Sequence, residues 1–398
     1  MAATVESLFR GTTEDLPSRI NVGEQIAPEH YAREREAIWR RAWISIGHTQ
    51  DAPHKGSYFV YDIPTFNMSL LVVRGQDDQV RVFHNICRHR GNKLVRDGDG
   101  TRMSFTCNFH GWNFGTDGAL RVITDAKEFE GCETEKLGLI PVHFEIWNSF
   151  IFVNLAEKPH CTLAEWLGEM HGQYDGYFEQ QEKVAAFKAV VDCNWHLAVN
   201  SFTEGYHTLY LHKSTARDYQ GGRSNPQRHR PQIEIFDRHH RYSAPGNPDK
   251  IFVRGEKVAA RYGRLMIPAF DFDMTGLPPG INSSRHDKWA FDVIEFFPNV
   301  VMLVGNCWHN EITYWPLDAG TLIINQAWAY KTRNLGQRIS RGYFRARVRD
   351  VFREDLNTLE AQQAALASGV MNEVILSRQE MALRHHYKVS DLMLGGKL

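Results

Sequence analysis

Cysteine is scarce in this chain, with six residues among 398. That is too few for a disulfide scaffold and points to a reducing cytoplasm. An excess of charge of one sign is also missing. Lys plus Arg number 46 and Asp plus Glu 47, for a net charge of −1. Neither a nucleic-acid-binding surface nor an acidic tail is expected from that balance. No apolar run approaches the ~20 residues needed to cross a bilayer, and runs such as Val300–Val304 are strand-sized. Met1 to Pro17 carries Glu6, Arg10, Glu14 and Asp15 without an apolar stretch, which does not read as a secretory leader. There is no internal repeat, no low-complexity segment and no G-x-G-x-x-G nucleotide motif. Histidine and tryptophan, by contrast, are plentiful at 19 and 10. So many histidines direct attention to metal.

At ~100–200 residues per domain, the length predicts two domains. Pro28–Ala42 reads as a surface helix and Trp43–Gly47 as a strand. From Gly56 to about Val153, short β-rich runs alternate with turns such as Asp97-Gly98-Asp99-Gly100, as in a small all-β domain. Leu163–Tyr177 and Asn194–His212 read as helices. Gln220–Ile281 has no clean period and is expected as long loops with short elements. Trp289–Phe297, Val300–Cys307, Ile312–Leu317 and Thr321–Lys331 predict an antiparallel meander. Its first hairpin turns at Phe297-Pro298-Asn299-Val300. Arg341–Ala367 predicts a long helix.

Two constellations carry chemistry. In the β domain, Cys87-Arg-His89 and Cys107-Asn-Phe-His110 form a C-x-H…C-x-x-H pair, separated by Arg90–Thr106. Two thiolates and two imidazoles suit a tetrahedral zinc or a [2Fe–2S] cluster with two Cys on one iron and two His on the other. In the second half, Asn200, Glu204 and His207 are spaced i, i+4, i+7 and share a helix face. His212 lies five residues beyond His207, ~140° away on a regular helix at ~100° per residue. Both histidines reach one metal only if the helix widens or breaks, and a π-type bulge is one device. Two His plus one carboxylate with open positions marks non-heme Fe(II) oxygenases. Asp350, Glu354, Asp355 and Glu360 of the late helix are the carboxylates on offer. Val348, Val351, Phe352, Leu356 and Leu359 form its apolar stripe, and Asp355 falls within it. Asp350 and Glu354 fall on the polar face with Arg347 and Arg353. An inward Asp355 is either a metal ligand or half of a buried salt bridge.

The run Cys87-Arg-His89-Arg-Gly91…Cys107-Asn-Phe-His110-Gly111-Trp112 resembles the Rieske motif of ring-hydroxylating oxygenase large subunits. Asn200…Glu204…Tyr206-His207…His212 and Glu354-Asp355…Glu360 resemble the same family's mononuclear iron motif. The resemblance implies that Cys87 and Cys107 bind one iron of a [2Fe–2S] cluster and His89 and His110 the other. It implies that His207, His212 and Asp355 hold a mononuclear Fe(II), with Glu204 and Asn200 as catalytic residues. The implied fold is α+β: an all-β Rieske domain over 45–158, inserted in a helix-grip catalytic domain built from 1–44 and 159–398.

The resemblance further implies a terminal oxygenase that uses O₂ and electrons from NAD(P)H. The electrons arrive through a separate reductase, directly or by way of a ferredoxin. A head-to-tail homotrimer is expected, with or without a small β subunit, in which Glu204 links His207 to a neighbour's His110. Nucleic acid and membrane are not expected partners. The expected substrate is apolar, aromatic or polycyclic, hydroxylated or dihydroxylated in a pocket with Phe202, Leu209, Trp289, Phe291, Asn306 and Trp308 as candidate walls. At position 204 aromatic-ring members of the family more often carry Asp. Glu resembles the minority acting on quaternary ammonium compounds, so monooxygenation with N- or O-demethylation is the alternative.

Overall fold

The computed structural model describes residues 9–398 except 14, 132, 217, 226–229, 264–273 and 333. It contains two compact units, one of residues 1–38 with 164–398 and one of 39–163. The sequence-based boundaries fell at 44/45 and 158/159. The smaller unit begins earlier because the strand Trp43–His48 pairs with Phe150–Asn154 inside it.

The smaller unit is built from three antiparallel sheets. Val80–His84, Met68–Arg74, Ser57–Ile63 and Asp99–Thr101 form the first, in that spatial order. Leu120–Val122, Asn113–Gly115 and Ser104–Thr106 form the second. His143–Trp147, Phe150–Asn154 and Trp43–His48 form the third. Leu71, Val73, Phe83, Phe105, Trp112 and Phe114 fill a core in which Cys87 and Cys107 are also buried. The loops carrying those cysteines are thereby anchored by apolar packing.

The larger unit holds an eight-stranded sheet. Its order is Phe9–Arg10, Gln232–Ile235, His240–Pro245, Trp289–Phe296, Val300–Gly305, Trp308–Pro316, Leu322–Tyr330 and Glu182–Val191. All pairs are antiparallel except the first. Every residue of Trp308–Pro316 is buried, so this strand is covered on both faces rather than alternating in and out. The helix Leu335–Ala367 buries Phe344, Phe352, Asp355, Leu359 and Leu366, at helical spacing. Its start is capped by Asn334, whose side chain accepts from the Gln337 N–H at 2.9 Å. The helix Trp195–Phe202 packs against both this helix and Trp308–Pro316, and Asn194 caps it by accepting from His196 N–H at 3.0 Å.

Gln220–Ile281 holds short elements between its loops, as expected: two sheet strands and the helix Arg254–Gly263, while 226–229 and 264–273 lie outside the described residues. Other expectations are corrected. The third meander strand begins at Trp308, not Ile312, because Asn306 and Cys307 alone make the turn. Pro28–Ala42 is α-helical only to Glu34, continues as one wide turn over Arg35–Trp39, and buries His30, Tyr31, Glu34, Ile38 and Trp39. It is no surface helix. Asn194–His212 is not one helix: regular structure stops at Phe202 and resumes as a single turn over Thr208–Leu211.

Candidate metal centres and the cavity beside one of them

The two Cys–His loops of the smaller unit have the same backbone design. Cys87 N–H donates to Asn92 C=O at 2.8 Å and Gly91 N–H to Cys87 C=O at 3.1 Å. Cys107 N–H donates to Trp112 C=O at 2.7 Å and Gly111 N–H to Cys107 C=O at 3.0 Å. Gly91 and Gly111 both have φ of 74°, a left-handed conformation that favours glycine. A Cβ on Gly91 would meet only Ile86 Cδ1 at 3.7 Å. The backbone angle, rather than lack of space, therefore requires glycine there.

The loops bring the four ligands together. His89 and His110 have ring centroids 4.6 Å apart, and His89 stacks on Trp112 at 4.9 Å. His89 Nδ1 is buried with no hydrogen-bond partner. Burial pushes the Cys87 thiol up, opposed by the His89 backbone N–H. Burial also works against the Cys107 thiolate, yet the N–H groups of Phe109 and His110 and the Cys87 thiol hold its pKa below the usual range. Two adjacent thiols, backbone donors aimed at sulfur and an orphaned imidazole nitrogen fit a [2Fe–2S] cluster.

In the larger unit the break after Phe202 turns His207 toward His212. Their Nε2 atoms are 3.2 Å apart, and Asp355 Oδ1 lies 3.6 Å from the first and 3.2 Å from the second. The outer nitrogens are engaged by carboxylates. His207 Nδ1 meets Glu204 Oε1, and His212 Nδ1 meets Glu354 Oε2 at 2.9 Å. Each carboxylate accepts a hydrogen bond from Nδ1–H and so leaves the Nε2 lone pair facing inward. Asp355 is 3 % exposed and its Oδ1 has no hydrogen-bond partner. Burial raises its pKa, opposed by His212. Three inward lone pairs within 3.6 Å of each other repel unless a cation sits among them. The donor set fits the facial His–His–carboxylate iron site.

Glu354 was placed on the polar face by periodicity, and the structure corrects that. The segment after His212 folds over the long helix, so Ser214 and Thr215 hydroxyls also donate to the Glu354 carboxylate. Glu204 is not one helical turn before His207, because the helix has already ended. Its Oε2 accepts the backbone N–H groups of Tyr206 and His207, so the broken turn itself aims the carboxylate. Asn200 stays on the helix, and its Nδ2 donates to Tyr387 Oη at 2.6 Å. The structure sets it against the helix Met381–Leu394 rather than among the walls of the cavity.

A cavity of about 140 Å³ opens onto His207, His212 and Asp355. One face of the sheet supplies Tyr242, Phe291, Val293, Trp308, Asn310 and Ile312, and the long helix supplies Phe344, Arg347, Val348, Val351 and Phe352. Of the expected walls, Phe202, Phe291 and Trp308 are present and Leu209, Trp289 and Asn306 are not. Leu209 is 48 % exposed, Asn306 is exposed in its turn, and Trp289 is buried with its Nε1 donating to Asp292 at 2.7 Å. Tyr219, Tyr242, Glu256 and Arg347 were missed. They come from segments read as loop or as polar face, and only the tertiary fold brings them to one wall.

Fold and donor sets thus define an iron protein with two separate centres, one of thiolate and imidazole and one of imidazole and carboxylate. The family model described as "Ring hydroxylating alpha subunit (catalytic domain)" matches residues 178–396, and "Rieske [2Fe-2S] domain" matches 42–137. The chain belongs to the ring-hydroxylating alpha subunit family and carries a Rieske [2Fe–2S] domain together with the mononuclear iron site of that family. It is 27 % identical over 192 residues to the carnitine monooxygenase oxygenase subunit of Acinetobacter baumannii, covering 48 % of this chain and 51 % of that one. It is 32 % identical over 216 residues to the biphenyl 2,3-dioxygenase alpha subunit of Rhodococcus jostii, covering 52 % and 45 %. The chain spans about half the length of the curated relatives it matches. Among solved structures, the quaternary ammonium Rieske monooxygenase CntA with L-carnitine superposes with a TM-score of 0.73 at 21 % identity, over 96 % of this chain and 98 % of that one. Naphthalene 1,2-dioxygenase with indole gives 0.73 at 19 %, over 95 % and 92 %. These two likenesses establish the shared α+β fold.

Proposed function

We propose that this chain is the terminal oxygenase of a Rieske non-heme iron system and that it monooxygenates a quaternary ammonium compound. The observation that carries the reading is the cavity: aromatic side chains surround a space whose floor is His207, His212 and Asp355. Aromatic faces attract a desolvated ammonium, and the Glu204 and Asp355 carboxylates add negative charge on the same side. Relatives named for carnitine, choline and glycine betaine oxidation support the substrate class. The apolar aromatic substrate that the family resemblance implied is the second reading, supported by the biphenyl dioxygenase relative and by the Val293, Leu303, Ile312 and Val351 walls.

The iron, when bound, supplies O₂ activation with electrons delivered through the cluster. The chain's own residues do the rest. Glu204 and Glu354 orient the two imidazoles, Asp355 brings the third donor, and the aromatic walls exclude water and hold the substrate. Balanced, the reaction takes one C–H bond, O₂, two electrons and two protons to one C–OH and water. Where the carbon bears the nitrogen, the hydroxyl product collapses to an amine and an aldehyde. A reductase, with or without a ferredoxin, would supply the electrons. A head-to-tail trimer would let Glu204 face His110 of a neighbouring copy. Cys87, Cys107 and Cys193 form no disulfide among the described residues, which supports a reducing cytoplasm. Among the described residues, no helix is long and apolar enough to cross a membrane.

The test is a product assay of the iron-loaded protein with a matching reductase. Aldehyde and amine formed from carnitine, choline or glycine betaine support the reading. A cis-diol from an aromatic hydrocarbon, with no product from the ammonium compounds, overturns it in favour of the second.

A further inference from the structure

The cavity has four charged side chains among its walls: Glu204, Glu256, Asp355 and Arg347. The three carboxylates have partners. Glu204 holds His207, and Asp355 faces the two imidazoles. Glu256 pairs with Lys250 Nζ at 3.4 Å and accepts the Val253 N–H at 3.2 Å. Arg347 has no hydrogen bond and no carboxylate within 4 Å among the described residues, and it is only partly exposed. Its field is felt by the phenol of Tyr343 one turn earlier. The side chains beside it on the cavity wall are Phe344, Val348 and Val351. A guanidinium set among apolar walls without an anion is costly.

We propose that Arg347 is the anion anchor of the substrate site, so that the substrate carries a carboxylate in addition to the group oxidised at the metal. This deepens the quaternary ammonium reading, on which the cationic half of the substrate rests; the anionic half rests on Arg347 alone. Arg347 and Asp355 are eight residues apart on one helix, which is about 12 Å along its axis at ~1.5 Å per residue. Both side chains line the same cavity. A compact zwitterion spans it, with its ammonium against the aromatic walls near the metal ligands and its carboxylate on the guanidinium. Arg presents a planar pair of N–H donors that a carboxylate meets with two parallel bonds. A simple cation such as choline would leave the guanidinium unpaired and be repelled by it. A hydrocarbon would leave it unpaired as well.

The experiment is calorimetric titration of the iron-loaded protein, wild type against Arg347→Gln and Arg347→Lys, with L-carnitine, glycine betaine, choline and benzoate. Iron content and cluster absorbance confirm that each variant is folded and loaded. Losing a charged hydrogen-bond partner of this kind weakens binding roughly 10- to 100-fold. The expected result is that loss for the two zwitterions in Arg347→Gln, partial recovery in Arg347→Lys, and unchanged or tighter binding of choline. Equal loss for choline and the zwitterions, no loss for any carboxylate, or no carboxylate bound by the wild type each overturns the anchor. If benzoate shows the Arg347 dependence and no ammonium compound binds, the anchor stands and the quaternary ammonium reading falls.

Discussion

His196 Nδ1 and His386 Nε2 lie 2.7 Å apart in the buried floor of the larger unit, and the far nitrogen of each ring faces a carboxylate. His196 Nε2 meets Glu34, and His386 Nδ1 meets Glu295 Oε1 at 2.6 Å. Three contacts in a row require three protons, one in each. Two neutral imidazoles supply two. With both carboxylates ionised, the row therefore holds one additional proton. Burial drives His196 down to about 4, so the row as a whole, rather than that ring, carries the additional proton. Nitrogen-15 spectra of histidine-labelled protein at pH 8 are expected to show three ring protons shared by the His196–His386 pair, a signature lost in His386→Gln. Spectra showing only neutral buried rings would refute the count.

The same row makes the protein acid-labile. Burial pushes Glu34 up, but the charge and bond of His196, with bonds from His30 and Trp195, hold it down to about 2 from an ordinary 4.5. A depressed carboxylate contributes stability above pH 4.5 that is lost as pH falls toward 2. His196, lowered to about 4, refuses a proton that the unfolded chain accepts from pH 6.5 downward. Both effects have one sign, so Tm should decline as pH drops below about 6.5. Removing one partner of a buried charged set costs about 3–5 kcal/mol. Glu34→Gln is expected to lose that much at pH 7 and to flatten the acid slope, as read by urea unfolding at several pH values.

The ligand set of the mononuclear site gives a sharper contrast. His207→Ala, His212→Ala and Asp355→Ala should each lose this iron and turnover while cluster absorbance remains, since the Cys–His loops belong to the other unit. Glu354→Ala removes the acceptor of His212 Nδ1 and of the Ser214 and Thr215 hydroxyls but none of the three inward donors. A change of that kind costs roughly 10- to 100-fold in metal affinity, which excess iron should restore. Iron analysis across the four variants decides it. Loss of iron from Glu354→Ala that no added iron repairs would show that periodicity picked the wrong carboxylate.

Much of this site was legible in the sequence because metal chemistry constrains residue type and local spacing together. Cys87, His89, Cys107 and His110 sit in two short loops, and the loops alone set their geometry. Asp355 was legible from its place in an apolar stripe. Glu354 and Arg347 were not, since the polar side of an isolated helix looks the same whether water or another segment covers it. Here Ser214 and Thr215 cover the first, and a cavity faces the second. The break after Phe202 was anticipated only as a need of the two histidines. Nothing local shows where the helix stops, because Glu204 stabilises the break through backbone N–H groups that a helix would have used itself. Leu209 and Trp289 were misplaced for a related reason. An aromatic or aliphatic residue on a strand or a short turn does not show which face is open.

Glu204 gives the last prediction. Its Oε1 accepts from His207 Nδ1–H, and its Oε2 accepts from two backbone N–H groups. Every atom facing this carboxylate is a donor. Glutamine has one acceptor oxygen and one NH₂, so it can satisfy only one side. If the oxygen stays on the backbone, the NH₂ confronts Nδ1, which must then accept. The proton of His207 moves to Nε2 and removes the lone pair that faces the metal site. If the oxygen turns to Nδ1, the NH₂ confronts two N–H groups and the broken turn loosens. Either way His207 is a poorer ligand, and Glu204→Gln should lose mononuclear iron affinity by roughly 10- to 100-fold with cluster absorbance unchanged. Glu204→Asp keeps both acceptors on a shorter arm and should fall between the two. The measurement is iron retention against a chelator series, followed by single-turnover oxidation of a pre-reduced cluster in fully iron-loaded samples. Slow oxidation in loaded Glu204→Gln would mean that the carboxylate also couples the two centres. Wild-type iron retention and a wild-type oxidation rate together would mean that the carboxylate neither fixes His207 nor links the centres.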